Sequence, residues 1–78
     1  MFLEIITPEK ILFEGEVTSV KLPGKTGEFE LLNNHAGIVS SLIPGNIRVI
    51  TTEKNTKNFS TNGGVIEMQN NKIIILLS

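Results

Sequence analysis

Apolar and polar residues alternate along most of this 78-residue chain, and the alternation has the period of a strand rather than of a helix. "LEIIT" (3–7) predicts a first strand, stopped by Pro8. "KILFEGEVTSVKLPG" (10–24) predicts two strand pieces, Ile11–Glu14 and Glu16–Leu22, with Gly15 between them as a bulge or tight turn. Val20 and Leu22 share a face, but Val17 falls off their register, which predicts a second irregularity near Thr18–Ser19. "PGKTG" (23–27) reads as a turn, and "EFELL" (28–32) puts Phe29 and Leu31 on one side and Glu28 and Glu30 on the other. "NNHAG" (33–37) is a loop, or a single helical turn capped by an asparagine.

Beyond it, "IVSSLI" (38–43) is a strand ended by Pro44-Gly45, and "NIRVITT" (46–52) places Ile47 and Val49 on one face. The polar tip "EKNTKN" (53–58) turns the chain into "FST" (59–61), and "NGG" (62–64) is another sharp turn. "VIEMQ" (65–69) and "KIIILL" (72–77) flank Asn70-Asn71, a pair that tolerates positive φ and suits a two-residue hairpin turn. The unbroken run Ile73–Leu77 predicts a strand covered on both faces, by the core and by a neighbouring sheet edge or subunit. No segment keeps helical periodicity over ten residues. Short strands with turn signals every 8–12 residues or so make an all-β sandwich or barrel.

Charge removes several function classes. Seven Lys and Arg against eight Asp and Glu give a net charge of −1, with no basic block and only four aromatics, all Phe, so a nucleic-acid surface is not expected. The longest apolar run has five residues, against about 20 for a membrane span. "MFLEIITPEK" has no basic leader and is interrupted by Glu4, so no signal peptide is expected. A single domain of this size buries only about 60–65% of its unfolded surface. With no cysteine, it must rely on its core or on a partner.

Candidate chemistry is sparse. His35 is the one histidine, and a zinc site would need at least two carboxylates at spacings the chain does not offer. Ser40 and Ser41 lie near His35, but no strand-turn-helix elbow presents them as nucleophiles. "GKTG" (24–27) has the wrong spacing for a phosphate loop, and no helix follows it. His35 is either a loop residue bonding its own turn or part of a polar contact surface. Gly63-Gly64 is a turn that permits close backbone approach. The chain therefore reads as a binding component without cofactor or metal, not as an enzyme.

The order of short motifs adds to this. Thr7-Pro8-Glu9-Lys10, Phe13-x-Gly15, Leu22-Pro23-Gly24, Gly27-Glu28-Phe29, His35-Ala36, Leu42-x-Pro44-Gly45 and Gly63-Gly64 before Val-Ile-Glu together resemble the epsilon subunit of the rotary F-type ATP synthase, across residues 3–77. The resemblance implies a small ten-stranded β-sandwich that binds the gamma subunit and the polar loops of the membrane-embedded c-ring. It further implies a sandwich that rotates with both and catalyses nothing, at the cytoplasmic face of a bacterial inner membrane. Carried over by position, Glu28, Asn33, Asn34 and His35 match the ring-facing loop, and Ser40 matches a position near the gamma contact. Glu30, Asn33 and Gly37 stand where the family usually has Gly, Pro and Pro. Losing two prolines loosens the loop, and asparagine and histidine side chains are expected to restore order through local hydrogen bonds. The family usually continues into a C-terminal helical hairpin that can inhibit ATP hydrolysis. This sequence stops at Ser78, so residues 1–78 are expected to form the sandwich alone, without that hairpin. The rival reading is a free-standing β-sandwich module for a peptide or glycan, which would need an aromatic-lined groove; the chain has no Trp or Tyr.

Overall fold

The computed structural model describes residues 1–78 as eight strands without a helix: β1 (Phe2–Ile6), β2 (Ile11–Gly24), β3 (Gly27–Leu32), β4 (Ile38–Leu42), β5 (Gly45–Thr51), β6 (Thr56–Thr61), β7 (Gly64–Gln69) and β8 (Lys72–Leu77). The all-β expectation holds, but the count of ten does not. One reason lies at Gly15, which pairs in register with Leu3 of β1 instead of breaking the strand. The two expected pieces are thereby one strand of 14 residues. The loop 33–37 adds neither a strand nor a helical turn.

β2 organises the rest. Its first half pairs β1, and its second half pairs β3 on one side and β5 on the other. One layer is thus β4–β7–β8–β1–β2 and the other β3–β2–β5–β6, with β2 passing through both. β1 and β8 are parallel, and every other pair is antiparallel. The thin dimension of 18 Å suits two sheets about 10 Å apart. Two bulges bend β2. Leu12 is extra against β1, where Ile5 pairs Phe13 and Ile6 pairs Ile11. Thr18 is extra against β5, where Val17 pairs Thr51 and Ser19 pairs Ile50. The second bulge lies where the sequence predicted it, and it returns both Val17 and Val20 to the interior.

The core lies between the layers. Leu3, Ile5, Ile66, Met68, Ile73 and Ile75 meet Val17, Val20, Leu22, Leu31, Ile47 and Val49, all fully buried. Phe13 and Phe59 pack edge to face, centroids 6.1 Å apart, and close the side between β2 and β6. Asn70 and Asn71 both take positive φ, 53° and 61°, as the two-residue turn requires. β8 departs from expectation. Ile73, Ile75 and Leu77 face the core, but Ile74 is half-buried and Leu76 exposed, so one of its faces is uncovered in this chain.

Gly64 shows why the Gly-Gly turn is needed. A Cβ there would lie 2.3 Å from the Leu76 carbonyl oxygen and 3.1 Å from Leu77 Cα, both main-chain atoms of β8. A Cβ at Gly15 would meet only the Phe13 ring, at 3.6 Å, an ordinary contact. Gly64→Ala is therefore expected to cost about 2–3 kcal/mol by forcing β7 from β8. Gly15→Ala should be neutral or stabilise by about 0.5 kcal/mol, because alanine loses less chain entropy in a strand. Urea unfolding of the two variants measures both.

Candidate interaction surfaces

The side of the sandwich opposite the Phe13–Phe59 pair is open. β3 hydrogen-bonds only to β2, and β4 meets β2 at the single position Gly24–Leu42. Between β3 and β4 lies a cleft of about 330 Å³, lined by Glu28, Phe29, Glu30, His35, Ile38 and Ser40 among others. Three of the residues singled out in the sequence, Glu28, His35 and Ser40, thus share one surface. Phe29 and Ile38 form its apolar part, each half-buried against the core.

Asn33 and Asn34 work differently. The Met1 nitrogen donates to Asn33 Oδ1 at 2.7 Å and to the Val17 carbonyl at 3.2 Å. Asn34, at φ 64°, donates its N–H to Asn71 Oδ1 at 2.8 Å. These bonds tie the loop to the first residue and to the β7–β8 turn. His35 N–H reaches the Leu32 carbonyl at 3.1 Å, and its Nδ1 lies 2.8 Å from the Ala36 carbonyl oxygen. Of the local side-chain bonds expected here, only the His35–Ala36 contact is present; the Asn33 bond is long-range, and Asn34 bonds through its main chain. Sequence alone had no means of pairing Asn34 with Asn71. Residues 33–36 remain exposed at the surface. No group of three or more His, Asp or Glu side chains converges in a metal-binding arrangement.

The outer face of the β3–β2–β5–β6 layer is charged. Lys21 Nζ lies 3.2 Å from Glu28 Oε1. Glu30 Oε2 accepts a short hydrogen bond from Ser19 Oγ and a 2.8 Å ion-paired bond from Arg48 Nη2. Ser19 foremost, then the charges of Arg48 and Lys21, hold the Glu30 carboxyl below the ordinary carboxylate range. The sequence placed Glu30 only on the strand face opposite Phe29 and Leu31. Its partners sit 11 and 18 residues away and become neighbours only through the β2 register.

The opposite outer face carries the largest uncovered apolar feature. Ser41 pairs Val65, Val65 pairs Leu76, Leu76 pairs Ile6 and Ile6 pairs Ile11, so these side chains form one row across β4, β7, β8, β1 and β2. Val65 is 45%, Leu76 52% and Ile11 55% exposed, and Val39 in the next row is 70% exposed. Scattered apolar residues on a surface mean little, whereas a contiguous row is a candidate contact surface. Each member lies on a different strand, so no local pattern in the sequence announces it. The row beside it holds Glu67, Glu4 and Glu14.

The family described as ATP synthase, Delta/Epsilon chain, beta-sandwich domain matches residues 1–78. The chain is 40% identical over 74 residues to an ATP synthase epsilon chain of Chlorobium limicola, covering 95% of this chain and 84% of that one. It is 45% identical to the epsilon chain of Leptospira borgpetersenii, of which it spans 58%. Among solved structures, a chain of the Euglena gracilis mitochondrial ATP synthase (OSCP/F1/c-ring) superposes with a TM-score of 0.90 at 19% identity, over 96% of this chain and 48% of that one. A chain of the Tetrahymena thermophila mitochondrial ATP synthase central stalk and c-ring gives 0.83 at 19% identity, over 99% and 62%. At that identity the likeness is one of fold.

The Glu30 network makes a pH prediction. Its folded-state pKa is depressed, so its stabilising contribution is complete above the unfolded value of about 4.3 and is lost as pH falls through the folded value. Glu30→Gln should therefore be less stable than the parent above about pH 5, and the difference should shrink progressively in more acid solution. Urea titrations at a series of pH values measure the gap.

Proposed function

The chain belongs to the ATP synthase delta/epsilon chain β-sandwich family, and we propose that it is the non-catalytic epsilon component of the central stalk of an F-type ATP synthase, joining the gamma subunit to the c-ring. The observation that carries the reading, beyond family membership, is the pair of unlike surfaces on one rigid slab. One is apolar and suits a permanent subunit contact; the other is polar and suits the loops of a ring. The gamma subunit covers the row Val65–Leu76–Ile6–Ile11, together with Ile74 and Val39. Buried contacts between permanent subunits are more apolar than the remaining surface, and this row has that character.

The ring-facing surface is the exposed end of the cleft and its loop, with Glu28, Asn34 and His35 as contacts. Asn33 contributes there through its side-chain nitrogen, since its oxygen is engaged by Met1. Ser40 is half-buried in the wall of the same cleft. It lies between β4's outer face and the loop, where the gamma and ring contacts adjoin. The slab turns with both neighbours and passes torque between them while making no bonds itself. The complex places it at the cytoplasmic face of a bacterial inner membrane, peripheral to the bilayer.

Leu76→Glu tests the reading. The residue is outside the core, so the isolated chain should lose less than about 1 kcal/mol of stability. Co-purification with the cognate gamma subunit should fall by roughly tenfold or more, as expected for a charge placed in a desolvated apolar contact. Undiminished gamma capture by a folded Leu76→Glu chain would remove the row from the interface.

A further inference from the structure

The cleft between β3 and β4 has a feature that neither its side chains nor its family membership assigns. Pro23 of β2 stands opposite Glu28 of β3, and the Pro23 carbonyl accepts from the Ile43 N–H at 3.0 Å, so the Pro23 main chain points away from β3. In an antiparallel pair of this kind, both residues turn their N–H and C=O groups outward. Glu28 therefore points its main-chain donor and acceptor into the open edge of β3. Glu30, two residues on and opposite Lys21, does the same. No other strand pairs with that edge. The half-buried Phe29 and Ile38 lie alongside.

Exposed edges invite added strands, and proteins usually blunt them with lysine, proline or a covering segment. Along Glu28–Leu32, β3 has no lysine, proline or paired covering strand; its charges are Glu28 and Glu30, which are drawn toward Lys21 and Arg48. Resting on the reading above, we propose that an extended segment of the gamma subunit adds as a strand to the open edge of β3, pairing its main chain with Glu28 and Glu30. It would direct an apolar side chain toward Phe29 and Ile38. The occupant must be extended polypeptide, because the recognition is by alternating main-chain groups. Gamma is favoured by continuity: the face assigned to it above includes the exposed Val39 of β4, and β4 is the other wall of this cleft. In this arrangement Glu28 contributes its backbone to gamma and its carboxylate to the ring.

The experiment is amide hydrogen exchange on the whole chain, alone and with cognate gamma, together with gamma affinity of Glu28→Pro and Glu28→Ala. The amides of Glu28 and Glu30 should exchange fast in the free chain and become protected when gamma binds. Proline at 28 removes an edge donor that the β2–β3 ladder does not use, so the fold should persist. Its gamma affinity should be about tenfold weaker than that of Glu28→Ala, which keeps the N–H. Gamma binding without protection at these two amides overturns this inference and leaves the stalk reading standing. Failure of gamma to bind the parent chain overturns both. Protection by the c-ring alone, or already present in a self-paired dimer of the free chain, overturns the assignment to gamma. Should Glu28→Pro fail to fold, the exchange pattern of the parent chain decides by itself.

Discussion

β2 is hydrogen-bonded to four other strands, and the two residues it carries in excess of its partners decide which side chains meet. Without the extra residue at Thr18, Val17 and Val20 would lie on opposite faces, and one of them would leave the core. Without the one at Leu12, Ile11 would no longer stand opposite Ile6 at the end of the apolar row. Both layers, the core between them and the cleft beside β3 follow from one strand that bends twice without breaking. The same strand brings Ser19, Lys21 and Arg48 around Glu30. The charged outer face is thus a by-product of the register that builds the core.

How much of this the sequence disclosed depends on the range of the signal. Strand positions, the Asn70-Asn71 turn and the irregularity near Thr18 are short-range properties, written in alternation and in positive-φ tolerance. Gly15 misled, because glycine is permitted wherever a chain bends but does not itself require a bend; here it pairs as ordinary strand. The second face of β8 was expected to be covered, and within this chain it is not. Composition cannot distinguish a strand sealed by its own domain from one whose outer face belongs to another subunit.

The site followed the same division. Glu28 and His35 were nominated together and Ser40 apart from them, and the fold brings all three to one cleft. Asn33 and Asn34 were nominated with them as contacts. Their hydrogen bonds to Met1 and from Asn34 to Asn71 make them anchors as well. That anchoring has a physical reason. A loop without the usual prolines has more unfolded conformations to lose on ordering. Bonds to positions 32 and 37 residues distant can offset that loss only after the sheets have assembled. Loop order is therefore coupled to the integrity of the whole sandwich.

That coupling bears on the stalk role proposed above, in which the slab would pass torque between its neighbours. β1, β8, β7, β4 and β2 form a closed circuit of hydrogen-bonded strands, completed by the pairing of β1 with β2 and the Gly24–Leu42 bridge. Shear applied to the apolar row would have to slide strands against one another, and a slip of one residue turns every buried side chain of a strand outward. The core disfavours intermediate positions, and the Asn34–Asn71 bond joins the exposed loop to the same sheet. A hinge between the two surfaces would dissipate the rotation in local bending. A strand shared by both layers, with its bulges held in a packed interior, leaves no place for one.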